Sequence, residues 1–221
     1  METVIMEFLD RLRRNAFSEL SIDGFTVDTQ GWMDDPFKNV IQRILSTRTL
    51  TDPLLIVEVG TWKGLSAITF ANTLKSNGFT NFRILCIDTW LGAPEFWTWG
   101  IDDPTRGGSL NLAHGYPTVF STFTKNVKAL GHDDVIVPFP ISSGQAADVL
   151  KFYKLSADII YIDAAHEYEA VKRDIRDYYP LIKPGGWIVG DDYNNDVKRV
   201  VDEVISQPTI EYPFWFTMVT K

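Results

Sequence analysis

Four apolar residues, Ile159-Ile160-Tyr161-Ile162, end on a carboxylate, Asp163, and His166 follows three residues later. A carboxylate beside an imidazole can handle a proton near neutral pH, because histidine titrates there. The same pair could be only a solvated strand end. Two further carboxylates, Asp191 and Asp192, close the short run Trp187–Val189. Adjacent carboxylates at a buried strand end repel each other, and a bound cation would relieve that repulsion. Aspartate oxygens from Asp163, Asp191 and Asp192, with open positions between them, suit a hard cation such as Mg²⁺. The alternative is that Asp192 caps the next helix while Asp191 faces water.

Other strand ends carry polar residues too. Glu58 stands near the end of the run Leu54–Val59, and Gly60 and Gly64 flank the following turn, GTWKG. Glycines there let backbone approach a ligand, and the next helix offers free N–H groups. The spacing is neither GxGxxG nor a P-loop, which counts against a nicotinamide-dependent dehydrogenase. Asp88 ends the run FRILCID, where an acid can accept from both hydroxyls of a ribose. Ser142-Ser143-Gly144 precedes a helical pattern, and serine is an ordinary N-cap. Residues 89–116 read as a long loop holding Phe96, Trp97, Trp99 and a rival base, His114. Such a segment can act as a lid whose rings wall a pocket, or pack as a loop or as a homodimer contact.

These residues need elements to hold them. Apolar spacing predicts helices over 2–20 and 36–48, then strands at 54–59, 82–88, 135–140, 159–163 and 187–190. Helical patterns lie between the strands, at 64–77, 117–130, 143–154, 166–179 and 195–206, and Phe214–Val219 reads as a last strand. Strands alternating with helices imply βαβ units and a doubly wound parallel sheet. Right-handed crossovers put every strand C-terminus on one edge, where open α/β sheets bind ligands. The expectation is one domain over 1–221, with 1–50 a helical cap and 51–221 the core.

The composition narrows the partners. A net charge of -8 and no Lys/Arg run beyond two residues argue against nucleic acid. The one cysteine, Cys86, lies in an apolar run and fits a reducing, cytoplasmic compartment as a buried thiol. The N-terminus alternates charge with apolar residues, unlike a signal peptide, and no run nears the roughly 20 apolar residues of a membrane span.

Taken in order, Glu58-Val59-Gly60 with Gly64, Asp88, Ser143-Gly144, Asp163 and Pro184-Gly185-Gly186 resemble a class I S-adenosylmethionine-dependent methyltransferase over residues 50–221. The resemblance implies a Rossmann-like, mostly parallel seven-stranded sheet with an antiparallel last strand. It also implies that S-adenosyl-L-methionine is bound by Glu58, Gly60, Thr61, Gly64, Ser66, Asp88, Thr89, Trp90, Ser143, Gly144, Gln145 and Asp163. In that scheme Glu58 holds the methionine amino group, Asp88 the ribose, and Trp90 and Ser143–Gln145 border the adenine. Asp163, Asp191 and Asp192 are similar to the metal aspartates of catechol-type and sugar or natural-product O-methyltransferases. Those of the catechol type place a lysine base three residues after the first metal aspartate, and this chain has His166 there. The implied activity is Mg²⁺-dependent O-methylation of a small-molecule acceptor. A metal-independent methyltransferase and a non-catalytic nucleotide-binding domain are the alternatives.

Overall fold

The computed structural model describes residues 2–33, 36–98 and 107–220. Its strands are β1 (Leu54–Val59), β2 (Phe82–Asp88), a short ribbon of β3 (Leu112–Ala113) with β4 (Tyr116–Pro117), then β5 (Ile136–Pro140), β6 (Ala157–Ile162), β7 (Ile182–Gly190), β8 (Thr209–Glu211) and β9 (Phe214–Met218). The helices are α1 (Glu2–Phe17), α2 (Pro36–Leu45), α3 (Leu65–Ser76), the short α4 (Pro94–Thr98), α5 (Val119–Ala129), α6 (Ser143–Phe152), α7 (Tyr168–Tyr178) and α8 (Asn195–Val204).

The main sheet has seven strands in the order β5-β2-β1-β6-β7-β9-β8. The first five are parallel, and β9 and β8 close the edge antiparallel. Parallel strands are buried on both faces, which is why they read as unbroken apolar runs. Successive side chains still alternate between faces. Leu54 and Ile56 of β1 join α2, α3 and α5 in one core, while Val57 and Val59 join α1, α6, α7 and α8 in the other. The segment expected as a cap thus contributes to both layers, through Ile5 and Leu9 of α1 on one face and Phe37, Val40, Ile41 and Ile44 of α2 on the other.

The chain runs from β1 outward through β2 to β5, then returns to lay β6 on the other side of β1. The strand order therefore reverses between β1 and β6, and the crevice beyond their C-termini is the expected ligand site of such a sheet.

Some boundaries move from the sequence reading. The strand read at 187–190 begins at Ile182, because the Pro184-Gly185-Gly186 turn is taken into β7. The helix read from 166 begins at Tyr168, which leaves His166 in the loop. The hairpin partner β8 lies in a stretch that carries no strand pattern, Thr209-Ile210-Glu211. The segment 89–116 is less irregular than expected: it holds α4, a 3-10 turn at Gly107–Leu110 and the ribbon. Trp99 lies outside the described residues.

At the end of β7, a Cβ on Gly190 would stand 2.3 Å from ring carbons of Trp215 on β9. Gly190→Ala should therefore lower stability by about 1–3 kcal/mol through overpacking. Differential scanning calorimetry should show Tm falling by several degrees. An unchanged Tm would mean that the indole can move aside.

Candidate active site

The register of β1 sets Glu58 between two neighbours, Cys86 on β2 and Tyr161 on β6. All three belong to the face that α3 covers. Glu58 is fully buried. The Ser66 hydroxyl of α3 donates to its Oε1, and the Cys86 thiol, 3.5 Å away, donates to its Oε2. Burial raises its pKa to about 7, with a smaller upward push from the charge of Asp163; the hydrogen bonds only partly offset this. Burial also pushes the Cys86 thiol up, so it stays protonated as a donor.

Beyond Glu58 the chain makes its closest approach. Gly60 has φ +85°, and a Cβ there would stand 1.9 Å from the Asp163 carbonyl oxygen. Only glycine fits, because both the conformation and the space exclude a side chain. Backbone bonds fasten the turn: Gly60 N–H donates to Ile87 O at 2.9 Å, and Asp163 N–H donates to Val59 O at 2.8 Å. Asp88 organises the same turn. Its Oδ2 accepts from the N–H groups of Thr61 and Trp62 at 3.0 and 2.9 Å, and its Oδ1 accepts from Trp90 N–H at 2.7 Å. A carboxylate offers about four acceptor positions, so these bonds leave Oδ1 room for one more donor. Gly64 then enters α3 with φ +91°, its missing side chain making way for the Phe123 ring.

The acids of β6 and β7 gather opposite this turn. Single ligand atoms of Asp163, His166 and Asp192 all lie within 4.8 Å of one another. His166 Nε2 is 3.1 Å from Asp192 Oδ2 and 3.7 Å from Asp163 Oδ1. Its pKa is raised to about 9, first by a hydrogen bond with Asp163 and then by the charges of Asp163, Asp192 and Glu95, against an opposing effect of burial. With no cation bound, His166 is therefore an imidazolium at neutral pH. Asp191 stands just behind. Its Oδ1 accepts from Asp192 N–H at 2.7 Å. The Tyr161 hydroxyl lies 3.1 Å from Asp163 Oδ2 and 3.4 Å from Asp191 Oδ2, so one donor ties together acids from two strands. Burial holds the Tyr161 pKa well above its usual value, and the phenol keeps its proton.

Tyr161 was not among the residues singled out from the sequence. A signal was there, because residues two apart in a strand share a face and Tyr161 stands two before Asp163. Glu95 was also missed. It lies on α4 in the expected lid, and its charge reaches His166. Trp62 and Trp32 complete the list: Trp62 stacks on Phe96 at 4.9 Å, and Trp32, from the N-terminal segment, stacks on Phe96 at 6.0 Å. Trp32 is exposed and Phe96 buried, so the rings form a wall with one open end.

Other expected residues sit apart from the cluster. Trp90 does not border an open site: its ring is 1% exposed, packs against Phe120 and Phe123, and donates to Trp62 O at 2.7 Å. The reason is its conformation, φ +53°, which turns the indole back into the core. Thr89 beside it is exposed and accepts from Leu91 N–H. Ser143 donates to Asp174 Oδ1 at 2.7 Å, Gln145 accepts from Ser142, and a Cβ on Gly144 would meet open space. The α6 N-terminus is thus accessible at Gly144. His114 is exposed at the turn of the β3–β4 ribbon, and the acid cluster formed by the described residues does not include it. Trp97 is exposed and donates to Leu91 O.

A seven-stranded sheet with an antiparallel edge hairpin, and a glycine turn facing an acidic strand end at the switch point, is the Rossmann-like architecture of class I methyltransferases. The chain belongs to the family of methyltransferase domains, which it matches over residues 57–193. That span contains Glu58, the glycine turn, Asp88, Asp163, His166 and both carboxylates of the Asp191-Asp192 pair. A curated protein of Streptomyces olivaceus, the 8-demethyl-8-(2,3-dimethoxy-alpha-L-rhamnosyl)-tetracenomycin-C 4'-O-methyltransferase, is 26% identical over 154 residues, covering 65% of this chain and 54% of that protein. Protein R132 of Acanthamoeba polyphaga mimivirus, whose function is uncharacterised, is 24% identical over 144 residues, covering 65% of this chain and 53% of its own. The chain thus spans about half the length of the curated relatives it matches. Among solved structures, an O-methyltransferase from Bacillus cereus in complex with SAH superposes with a TM-score of 0.57 at 13% identity, over 96% of this chain and 91% of that one. Among the described residues no helix is long and apolar enough to cross a membrane.

Glu58 titrates near 7 in the fold against 4.5 unfolded. The advantage of its neutral form is whole below pH 4.5 and is lost as pH rises through 7. In urea titrations of the ligand-free protein, wild type should therefore lose up to about 3 kcal/mol relative to Glu58→Gln across that window. A gap independent of pH would refute the shifted pKa. Tyr161→Phe removes the donor shared by Asp163 and Asp191 while keeping the ring; if the acids bind a divalent cation, its affinity by calorimetry should fall about 10-fold or more with the fold intact, and an unchanged affinity would mean that the hydroxyl does not orient them.

Proposed function

We propose that this chain transfers a methyl group from S-adenosylmethionine to a hydroxyl of a neutral small molecule, with a divalent cation at Asp163, Asp191 and Asp192. The observation that carries this reading is the convergence of Asp163, His166 and Asp192 within 4.8 Å, directly across the Gly60 approach from Glu58; Asp191 is outside that group and joins it through the Asp192 N–H and the Tyr161 hydroxyl. The donor set of carboxylates and one imidazole fits Mg²⁺ or Mn²⁺. A cation held there would supply a Lewis acid that lowers the pKa of an acceptor hydroxyl.

The chain's own residues do the rest. Glu58, once ionised, is placed to hold the cationic amino group of the cofactor, with the Gly60–Gly64 turn beside it. The free acceptor position on Asp88 Oδ1 suits a ribose hydroxyl. The open α6 N-terminus at Ser143–Gln145 leaves room for the adenine. The Tyr161 hydroxyl keeps Asp163 and Asp191 oriented. The carboxylates that hold His166 as an imidazolium are those that would hold the cation, so the imidazole is a neutral ligand or base only in the loaded protein. Alignment of oxygen, methyl carbon and sulfur would supply much of the rate.

The acceptor class follows from charge and shape. The charges of Asp163, Asp192 and Glu95 all reach His166 in a chain of net charge -8, and an anionic acceptor there would be repelled. The Trp32–Phe96–Trp62 wall offers a flat apolar surface beside them. A sugar or phenol carried on an aromatic natural product satisfies both conditions. The rhamnosyl-tetracenomycin named for the Streptomyces relative supports that class.

One observation favours a second reading, a methyltransferase without metal. The 3.1 Å pair of His166 with Asp192 already balances part of the negative charge. Methylation of a hydroxyl library from labelled cofactor, with and without EDTA, separates the two, because full activity in EDTA would remove the cation. Cofactor binding in calorimetry with no acceptor ever methylated would instead indicate a binding domain.

Asp191→Ala should abolish Mg²⁺-stimulated turnover while cofactor affinity stays within a few-fold of wild type. Lost cofactor binding, or unchanged turnover, would count against the cation site. His166→Ala should lower kcat by about 100-fold or more with a smaller change in cofactor affinity, the range expected for a general base. Cofactor affinity in the wild type should also rise with pH up to about 7 as Glu58 ionises, and the rise should be absent in Glu58→Gln.

A further inference from the structure

Trp215 lies on β9 opposite Gly190, and its side chain is 1% exposed. Its indole N–H has no acceptor among the described residues. A buried donor without a partner is destabilising, and buried polar groups in native folds almost always have one. The ring lies across Gly190, with Nε1 only 2.5 Å from where a Cβ would be. Trp215 also lines a small cavity beneath the acid cluster. Asp191 and the turn Asp163-Ala164-Ala165-His166 line it on one side, with Ile162, Val171 and Val197 completing an apolar lining. Its volume is about 10 Å³. That is about the room one water needs, and a buried water also requires two to four polar partners.

We propose that a single buried water occupies this cavity, accepts the Trp215 indole N–H, and donates to the Asp191 carboxylate and to the backbone of the 163–166 turn. Trp215 is then a positioning residue. It acts through the water to hold Asp191 and Asp163 from below, as the Tyr161 hydroxyl does from the α3 side of the sheet. Gly190 serves this arrangement by letting the indole reach under the strand end. The water itself does not depend on the proposed methyl transfer; only the kinetic consequence rests on that reading.

The test begins with wild-type protein carrying ¹⁵N-labelled tryptophan. Trp215→Phe, which keeps a ring but loses the N–H, identifies the indole resonance. That N–H should exchange slowly with solvent yet show a through-space contact to a long-lived water. A protected N–H with no such contact overturns the proposal. In Trp215→Phe, Mn²⁺ affinity should fall about 10-fold or more and kcat should fall with KM little changed, while cofactor affinity holds. Unchanged Mn²⁺ affinity in a folded variant overturns the positioning role. If wild type binds no Mn²⁺, the cation reading fails, and the indole–water contact alone decides the water site. If the variant does not fold, indole-amide assignment by backbone connectivity in the wild type leaves the same decision available.

Discussion

The close approach of Gly60 to Asp163 is the constraint on which the rest of the site depends. Two parallel strands, β1 and β6, bring their C-termini side by side, and the chain must turn off the first without striking the second. A Cβ at residue 60 would stand 1.9 Å from the Asp163 carbonyl. Because it is absent, the glycine turn and the acidic loop share one wall. Glu58 below the turn, Asp88 fastening it from one side and Asp163 facing it from the other follow from that contact. A side chain at position 60 would push apart the part that recognises a cofactor and the part that gathers the acids.

The site stores its charge in an unusual way. Glu58 is fully buried, with hydroxyl and thiol donors that include Ser66 and Cys86 and no cationic partner among its hydrogen bonds. Across the crevice, three aspartates are set against one histidine. Glu58 would gain from a ligand that brings an ammonium, while on the other side Asp163 and Asp192 share the single imidazolium of His166 and would gain from a divalent cation. Electrostatic incompleteness of this kind is common where a fold is prepared for ligands rather than for its own stability. The hydrogen bonds around it orient carboxylates without neutralising them: backbone N–H groups on Asp88, the Tyr161 hydroxyl on Asp163 and Asp191.

Much of the fold was legible in the sequence because parallel strands are buried on both faces and leave unbroken apolar runs. Ile159–Ile162 and Leu54–Val59 were plain for that reason, and the carboxylates that end them stood out by contrast. The shortest elements were not legible. Thr209–Glu211 is a strand only because β9 pairs with it, and three residues are too few for their polar-apolar-polar alternation to stand out. The ribbon and α4 within 89–116 are held by packing rather than by periodicity. Trp90 shows the limit of reading roles from order alone: a positive φ turned toward the core a ring that the family pattern would put beside a ligand. Tyr161 shows the converse, a residue hidden within a strand whose hydroxyl reaches the strand end.

By itself, the sequence determined the alternating βαβ order, the residues at each strand end and the two glycines that the first turn needs. These follow from local rules of burial, side-chain period and backbone conformation. Only the tertiary structure decided which strand ends are neighbours, that His166 lies between Asp163 and Asp192, and that Trp32 from the N-terminal segment stacks above Phe96. Those contacts join residues far apart in the chain, and sheet order and crossing helices set them, neither of which any local window contains. ADIIYIDAAH thus specified an acid and an imidazole at a strand end. The return of β7 beside β6, carrying Asp191 and Asp192, made that end a cluster of carboxylates around one histidine.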